Sequence, residues 1–213
     1  MSRDRPFPRT WTIWLVTVAL MSLLAVACNA DDTLDGPGPV GTVGPVGPVG
    51  GEAEGIQGSG DITTETHSLT EFDRVVFSSE GTVEIVQAGT ASLAIEADDN
   101  LHQYLITNVS NRELTISTAA NTDIAPSKSM VFRIGVIDLT GIDLAGAGTI
   151  TAETVRSSTI EVALSGTGDV IVNQLQADEV TVNHTGVGTI QLAGETDRMT
   201  VVASGTGALD GAD

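Results

Sequence analysis

The segment Ala145-Gly146-Ala147-Gly148-Thr149-Ile150 is the first of four similar segments in the last third of this 213-residue chain. The other three are Ser165-Gly166-Thr167-Gly168-Asp169-Val170, Thr185-Gly186-Val187-Gly188-Thr189-Ile190 and Ser204-Gly205-Thr206-Gly207-Ala208-Leu209. Successive segments begin 20, 20 and 19 residues apart. A nearly constant period in this range, with short β-branched runs between glycine pairs, is typical of a solenoid.

Stacking the repeats predicts columns of like residues along the solenoid. Between the glycine pairs, apolar residues alternate with polar ones, which is the pattern of a strand with one buried face. Each coil therefore turns four or more aliphatic side chains inward, and full burial of each contributes roughly 1.5–3 kcal/mol. The predicted columns are Ile150, Val170, Ile190 and Leu209; Ala152, Val172 and Leu192; Ile160, Val180 and Met199; and Val162, Val182 and Val201.

The glycine pairs are predicted to form the corners between strands. A corner needs backbone angles that a Cβ disfavours, and stacked corners leave little room for side chains. We therefore predict an all-β fold, a single-stranded parallel β-helix with about 20 residues per coil. An antiparallel sandwich of short hairpins is the alternative, although hairpin turns do not require a constant period. The predicted structural corner glycines are Gly146, Gly148, Gly166, Gly168, Gly186, Gly188, Gly205 and Gly207.

The preceding region, residues 61–144, repeats less regularly. Its strand-like runs lie at residues 74–77, 82–86, 92–97, 114–117 and 130–137. Ser79-Glu80-Gly81-Thr82-Val83 looks like a degenerate copy of the glycine corner. The segment 98–107 is predicted to form a short helix or loop that covers one coil. Residues 60–213 are predicted to form one domain.

The N-terminus has the layout of a secretory signal. Arg3, Arg5 and Arg9 precede a 17-residue apolar run over residues 11–27. The run ends in Leu24-Ala25-Val26-Ala27-Cys28, which resembles the lipobox of bacterial lipoproteins, although Ala25 stands where that pattern usually has Leu, Val or Ile. The resemblance implies that residues 1–27 are a signal peptide, and that lipidation of Cys28 holds the protein on a membrane. An uncleaved anchor helix is the alternative.

Residues 28–59 are predicted to be a disordered linker rich in glycine and proline. Glycine recurs at every third position from Gly38 to Gly50, which raises the alternative of a collagen-like trimer. The run is very short for a triple helix, and in its four triplets valine, never proline, stands directly before the next glycine, where hydroxyproline stabilises collagen. An extended spacer of about 3 Å per residue, reaching at most about 90 Å, is the simpler interpretation.

The charge excludes one class of partner. The chain has 9 Lys and Arg against 28 Asp and Glu, a formal net charge of −19. This charge repels phosphate backbones, so no nucleic-acid partner is expected. The single cysteine also excludes an intramolecular disulfide and a multi-cysteine metal site.

The β region resembles a known family, the head GIN domain of auto-transporter adhesins. The residues that carry the resemblance are the runs 72–77, 81–85, 93–97, 99–101 and 114–116, followed by the glycine repeats. The likeness covers about 150 residues, and its motifs are specific for fold rather than function. The family is largely uncharacterised, and its name implies surface attachment. The resemblance provides no catalytic motif.

Acidic residues and histidines are the groups of this sequence that could support catalysis or bind a metal. A polysaccharide-cleaving β-helix needs paired carboxylates in a groove, but no acid lies in register with Asp169 on the adjacent corners. His67, His102 and His184 lack metal-ligand spacing, and His184 occupies the coil position of Leu164 and Ala203. The acidic surface favours diffuse ion association over a defined calcium site. We therefore predict no cofactor, no metal site and no catalytic site.

The sequence thus predicts an exported, lipid-anchored protein of the cell envelope that acts as an adhesion or interaction module. Its expected partners are the membrane and an unidentified surface ligand, either a glycan or a protein. Open solenoid ends also favour weak self-association. Two alternatives remain: a carbohydrate-active enzyme on a β-helix scaffold, and a non-adhesive periplasmic accessory with a structural or signalling role.

Overall fold

A computed structural model describes residues 55–212 of the chain. The predicted signal peptide, Cys28, and the linker up to residue 54 lie outside the described residues. Within 55–212 there are fourteen strands and one turn of 3₁₀ helix at His102–Tyr104. The strands are β1 (Ile56–Gln57), β2 (Ile62–Ser68), β3 (Arg74–Ser78), β4 (Glu80–Gln87), β5 (Ser92–Asp98), β6 (Leu105–Ser110), β7 (Glu113–Thr118), β8 (Ile124–Ala125), β9 (Val131–Val136), β10 (Gly141–Leu144), β11 (Ala147–Leu164), β12 (Thr167–His184), β13 (Val187–Ala203) and β14 (Thr206–Ala212).

The all-β prediction is confirmed, because about 71% of the described residues lie in strands. Twelve of the described strands form one curled mixed sheet, and β1 pairs with β8 in a separate small sheet. The five strand-like runs of residues 61–144 correspond to β3, β4, β5, β7 and β9. The 3₁₀ turn lies within the segment 98–107, as predicted, but residues 105–107 of that segment belong to strand β6 instead of a helix or loop. Strands β2, β6, β8 and β10 of the same region were not predicted.

The glycine repeats lie in a parallel ladder formed by β11, β12, β13 and β14. Ile150 pairs with Val170, Val170 with Ile190, and Ile190 with Leu209, so the first predicted column is confirmed. The other three columns keep the same register. Gly81 on β4 pairs with Gly148, which confirms that the segment 79–83 continues the repeat.

A parallel β-helix over the whole of residues 60–213 is not confirmed. Strands β2 and β5, β5 and β9, and β6 and β7 pair antiparallel, which makes the sheet mixed. The β6–β7 hairpin turns through Asn111 and Arg112, whose φ angles are 52° and 64°. Two successive positive φ values give the tight turn that matches strand twist, so the chain returns directly instead of crossing over.

One hydrophobic core runs through the described residues. In the N-terminal half it contains phenylalanines, and the rings of Phe77 and Phe132 meet edge to face at 5.0 Å. In the ladder it is aliphatic, with Ile150, Val170 and Ile190 fully buried. The inward positions of the last described coil are more exposed: Leu209, for example, is 36% exposed. Packing of the inward side chains in this core holds the strands in place. The residues that alternate with them along each strand face outward and form the surface.

Candidate functional site

Four of the predicted corner glycines have left-handed backbones that pair with one another. Gly148, Gly168, Gly188 and Gly207 have φ between +134° and +149°. They follow Gly81 in one column along the ladder. A Cβ on any of them would fall on the carbonyl oxygen of the glycine one coil earlier. Both the angle and the close approach therefore require glycine.

The other four predicted corner glycines are crowded without being left-handed. For Gly166, Gly186 and Gly205, an added Cβ would fall on the carbonyl oxygen of the equivalent glycine one coil before. For Gly146 the oxygen belongs to Ser79. Each glycine pair thus has two members with different requirements. Both must lack a Cβ because a carbonyl oxygen lies too close, and the second must also adopt a positive φ angle. Cys28, the predicted lipidation residue, lies outside the described residues.

The one-residue deficit in the last repeat produces a β-bulge. Val172 pairs with Leu192, but the next pair is Leu175 with Gly194. Asn173 and Gln174 on β12 therefore face only Ala193 on β13. Gly194 has φ +140°, and a Cβ there would fall on the carbonyl oxygen of Leu175. Bulges of this kind redirect side chains and often lie beside binding sites.

A depression of about 340 Å³ lies at this bulge. Leu175 is buried, whereas the side chains of Asn173, Gln174 and Gln176 are exposed. Arg156 and Glu195, on the neighbouring strands, carry opposite charges. We call this cavity the bulge depression; its lining consists of Thr154, Arg156, Asn173, Gln174, Leu175, Gln176, Ala193, Gly194 and Glu195.

A single column of polar residues borders the depression. Arg156 pairs with Gln176, and Gln176 with Glu195, so a cation, an amide and an anion follow one another across three strands. Among the described residues, Arg156 makes no ion pair. On its other side the column borders a cavity of about 470 Å³, which also contains Asp178 and Asp197 and is therefore acidic.

Gln87 holds the start of this column in place. Its side-chain amide accepts a 2.8 Å hydrogen bond from the Arg156 N–H and donates one of 3.0 Å to the Arg156 carbonyl. It also donates to the Ile137 carbonyl. Because β4 ends at Gln87 and pairs with β11 only as far as Ala152, the side chain replaces the missing backbone partner. The amide thereby satisfies the polar backbone of Arg156.

A third cavity, of about 520 Å³, lies on the outward face of β2, β5, β9 and β4. Ala94 and Gly135 form part of its lining, and Val86 is 57% exposed beside them. Arg133 at its rim donates to Glu96 at 2.9 Å and to Glu84 at 3.1 Å. The Glu96 hydrogen bond raises the pKa of Arg133, with Glu84 adding to it. The guanidinium is thus already neutralised within the chain.

Asp98 is a fully buried carboxylate that joins three segments. It accepts hydrogen bonds from the Gly60 N–H at 2.7 Å, the Ser127 N–H at 2.9 Å and the Ser127 hydroxyl at 2.6 Å. The Ser127 hydroxyl is the main reason that the pKa of Asp98 is lowered. A buried carboxylate with this many donors is a structural anchor, and it is not free to act as a base.

Two other carboxyl groups have raised pKa values. Burial raises the pKa of Glu80, and repulsion from Asp123 adds to the shift. Burial likewise raises the pKa of Asp143, although Arg74 and the Ser165 hydroxyl oppose it. One oxygen of Glu80 is buried without a hydrogen-bond partner. Asp169, considered above as a corner acid, accepts from the Thr189 N–H at 3.0 Å and so links two coils.

Two of the three histidines, His102 and His184, are buried. His184 is 3% exposed and pairs with Leu164 and Ala203, which confirms its predicted position. His102 lies 3.1 Å from the Thr63 hydroxyl. Within residues 55–212, no group of three or more His, Cys, Asp or Glu side chains could hold a metal ion. No helix in that same range is long and apolar enough to cross a membrane.

Comparison with solved structures identifies relatives of the fold. A protein from Parabacteroides distasonis, described as a "putative lipid binding protein", is 18% identical with a TM-score of 0.60, covering 73% of this chain and 75% of that one. A "putative adhesin" from Bacteroides fragilis is 16% identical with a TM-score of 0.50, covering 74% of this chain and 100% of that one. A "putative cell adhesion protein" from Clostridium sporogenes is 12% identical with a TM-score of 0.50, covering 71% and 99%.

At such low identity these likenesses show the fold alone. The comparison with curated proteins gave no match. The family comparison is more direct, because residues 71–213, about two thirds of the chain, match the family described as "Putative auto-transporter adhesin, head GIN domain". The chain therefore belongs to the head GIN domain family.

Proposed function

We propose that this protein is an exported surface-binding module of the adhesin type, and that it is not an enzyme. The observation that carries the proposal is the outward face of β11, β12 and β13. There, polar side chains from three strands stand in register on a ladder whose inward face is buried along β11, along β12 and in the first half of β13. A rigid frame of this kind holds its surface groups in fixed positions, which lowers the entropic cost of binding a ligand.

The relatives agree with a binding role. The family description and two of the three structural relatives name adhesion, and the third names lipid binding. In the described residues, two hydrogen-bonded carboxylates serve the fold: Asp98 holds loops together, and Asp169 links coils. We therefore assign the module to recognition through its surface.

The binding role is tested with the full-length chain on an array of glycans and extracellular-matrix proteins. Saturable binding to one class of ligand supports the proposal. Absence of binding to every probe by a folded sample would contradict it and favour an accessory role within the envelope. Release of cleaved products from any array glycan would instead favour the enzyme alternative.

We further propose that residues 1–27 are a signal peptide, that Cys28 is lipidated, and that residues 28–59 are a linker to the domain at 60–213. The support is the sequence Leu24-Ala25-Val26-Ala27-Cys28 after an apolar run. Cys28→Ser should abolish incorporation of labelled palmitate and release the protein from carbonate-washed membranes. Ser22→Ala, in the same segment, serves as the control. Retention of the Cys28→Ser variant on washed membranes would overturn the lipid anchor.

For the fold, we propose that β11 to β14 form a solenoid with interchangeable coils. The support is the common register and the shared inward columns. Because each coil contacts mainly its neighbours, a tandem duplication of residues 165–184 should fold and raise the Tm. Unfolding of the duplicated chain would contradict this proposal.

A further inference from the structure

We propose that the bulge depression is a binding subsite for a neutral oligosaccharide. This inference rests on the proposed function, because it identifies the ligand class and the residues that an adhesin-type surface would use. The depression exists because the coil of β13 is one residue shorter than the two before it. A regular 20-residue coil would place a side chain opposite Gln174, where Ala193 and Gly194 now leave space.

The chemistry of the lining matches hydroxyl groups. Asn173, Gln174 and Gln176 each carry an amide, which donates through nitrogen and accepts through oxygen. A sugar hydroxyl also donates and accepts, so a cluster of amides can satisfy several hydroxyls at once. Asn173 donates to Glu153 at 3.0 Å, and Thr154 donates to Gln174 at 3.4 Å. These contacts orient two of the amides and leave the Gln174 NH₂ group available to a ligand.

The charges favour a neutral ligand. Arg156 and Glu195 stand at opposite ends of the bordering column, and their charges cancel within the lining. The adjacent cavity is different, because Asp178 and Asp197 give it negative charge. Over the whole chain the net charge of −19 repels anionic polymers. Neither the acidic cavity nor the net charge repels a neutral sugar. A sulfated or uronic-acid chain, in contrast, is repelled by the net charge.

The shape favours a sugar over a protein. The lining contains one buried apolar side chain, Leu175, and the small Ala193 and Gly194, so it lacks the apolar centre of a typical protein interface. A volume of about 340 Å³ suits one or two sugar rings. The strands on either side repeat at about 4.8 Å, so polar groups continue along the column for a longer chain to contact.

The test adds neutral oligosaccharides built from glucose, galactose, mannose and N-acetylhexosamines to the array of glycans, anionic ones included, and extracellular-matrix proteins described above. It measures binding of the full-length chain to every probe. We expect saturable binding by the unaltered chain and at least a tenfold loss with the double variant Gln174→Ala/Gln176→Ala. Gln191→Ala is the matched control, because it removes an exposed glutamine from β13 outside the depression. The control should bind as the unaltered chain does.

A second variant addresses folding. Inserting one asparagine between Ala193 and Gly194 restores the 20-residue spacing and fills the depression. We expect it to keep or raise the Tm while losing binding at least tenfold. Loss of binding with an unchanged Tm separates a filled site from a misfolded chain.

The outcomes distinguish the two proposals. Glycan binding that neither variant reduces would overturn the subsite and leave the adhesin-type function standing. Binding only to anionic glycans, or only to matrix proteins, would overturn the neutral-sugar subsite in the same way. Binding to no probe at all would overturn both.

Discussion

The guanidinium of Arg74 donates a 2.8 Å hydrogen bond to Glu161, which lies two strands away across the sheet. The strand between them carries Gly141, and a Cβ there would lie 2.8 Å from Nη1 and 2.9 Å from Cγ of Arg74. Because Gly141 has no side chain, the Arg74 side chain can extend across this strand to Glu161. Glu113, on the opposite side, lies 3.4 Å from Nε of Arg74. The Arg74 hydrogen bond is the main cause of the lowered pKa of Glu161.

Gly141→Ala should therefore displace Arg74 and lower the free energy of unfolding by about 1 kcal/mol, the upper range for a partly exposed ion pair. The effect should shrink in an Arg74→Ala background, because no guanidinium then crosses the glycine. Urea unfolding of the two single variants and the double variant measures the coupling. Additive effects would mean that the two residues do not interact.

Gly168→Ala should cost several kcal/mol, because it combines backbone strain with a clash against the Gly148 carbonyl. Gly60→Ala is the matched control. Gly60 also has positive φ, +89°, but nothing lies within 4 Å of the position of its Cβ. Its cost should be limited to strain, about 1 kcal/mol. Equal losses of Tm for the two variants would show that the stacked carbonyls do not matter.

Gly166→Val should also cost several kcal/mol, in this case through crowding alone. Its added side chain would meet the Gly146 carbonyl and the backbone of Ala145. Thermal unfolding followed by circular dichroism tests this, with Gly89→Val as the control, since Gly89 has open space around it. An unchanged Tm for Gly166→Val would remove this glycine from the set of corners.

Asp98 should make stability sensitive to acid. Its pKa in the folded protein lies below the ordinary value of 3.8, so its stabilising effect is complete well above pH 3.8 and disappears as the pH falls through the folded pKa. Asp98→Asn should lower the Tm at pH 7 and flatten the acid side of the profile. Asp61→Asn, at an exposed position nearby, should leave the profile unaltered. Parallel Tm profiles for Asp98→Asn and the unaltered chain would refute this role.

Ionised Glu80 should destabilise the fold, in contrast to ionised Asp98, which should stabilise it. Its folded pKa lies above the ordinary value of 4.5, so the ionised group destabilises the fold at neutral pH, and the penalty vanishes below pH 4.5. Glu80→Gln should therefore raise the Tm at pH 7 and have no effect at pH 3. A lower Tm at pH 7 would show that the ionised carboxylate stabilises the fold.

The repeat and its columns could be predicted from sequence because like residues recur at a fixed interval, and a parallel ladder places them side by side. Even the degenerate repeat at residues 79–83 has a glycine, Gly81, at the position of the left-handed corner glycines. Strand β2 was missed because an edge strand need not alternate cleanly: Thr63, Thr64, Glu65 and Thr66 are all exposed. Strand β6 was missed because it begins inside the segment 98–107, which was predicted as a helix or loop. One of the three antiparallel pairs of the mixed sheet, β6–β7, followed from a local feature, the two positive φ values at Asn111 and Arg112.

The site was harder to predict than the fold. The 19-residue interval was visible in the sequence, but its effect depends on which neighbouring side chains border the gap. Arg156, Gln176 and Glu195 acquire a joint role only once the register is known. Arg74 and Glu161 are separated by 87 residues, and Asp98 meets Ser127 through a loop. Contacts between such distant segments leave no local pattern.

The stacked corner glycines also constrain how this protein can evolve. Every replacement for Gly148, Gly168 or Gly188 carries a Cβ, so every missense mutation at these sites meets the same carbonyl obstruction. Outward positions such as Asn173, Gln174 and Gln176 meet no such obstruction. Natural variation should therefore collect on the exposed ladder while the corners stay invariant. Lineages could then change what the surface recognises without rebuilding the scaffold that presents it.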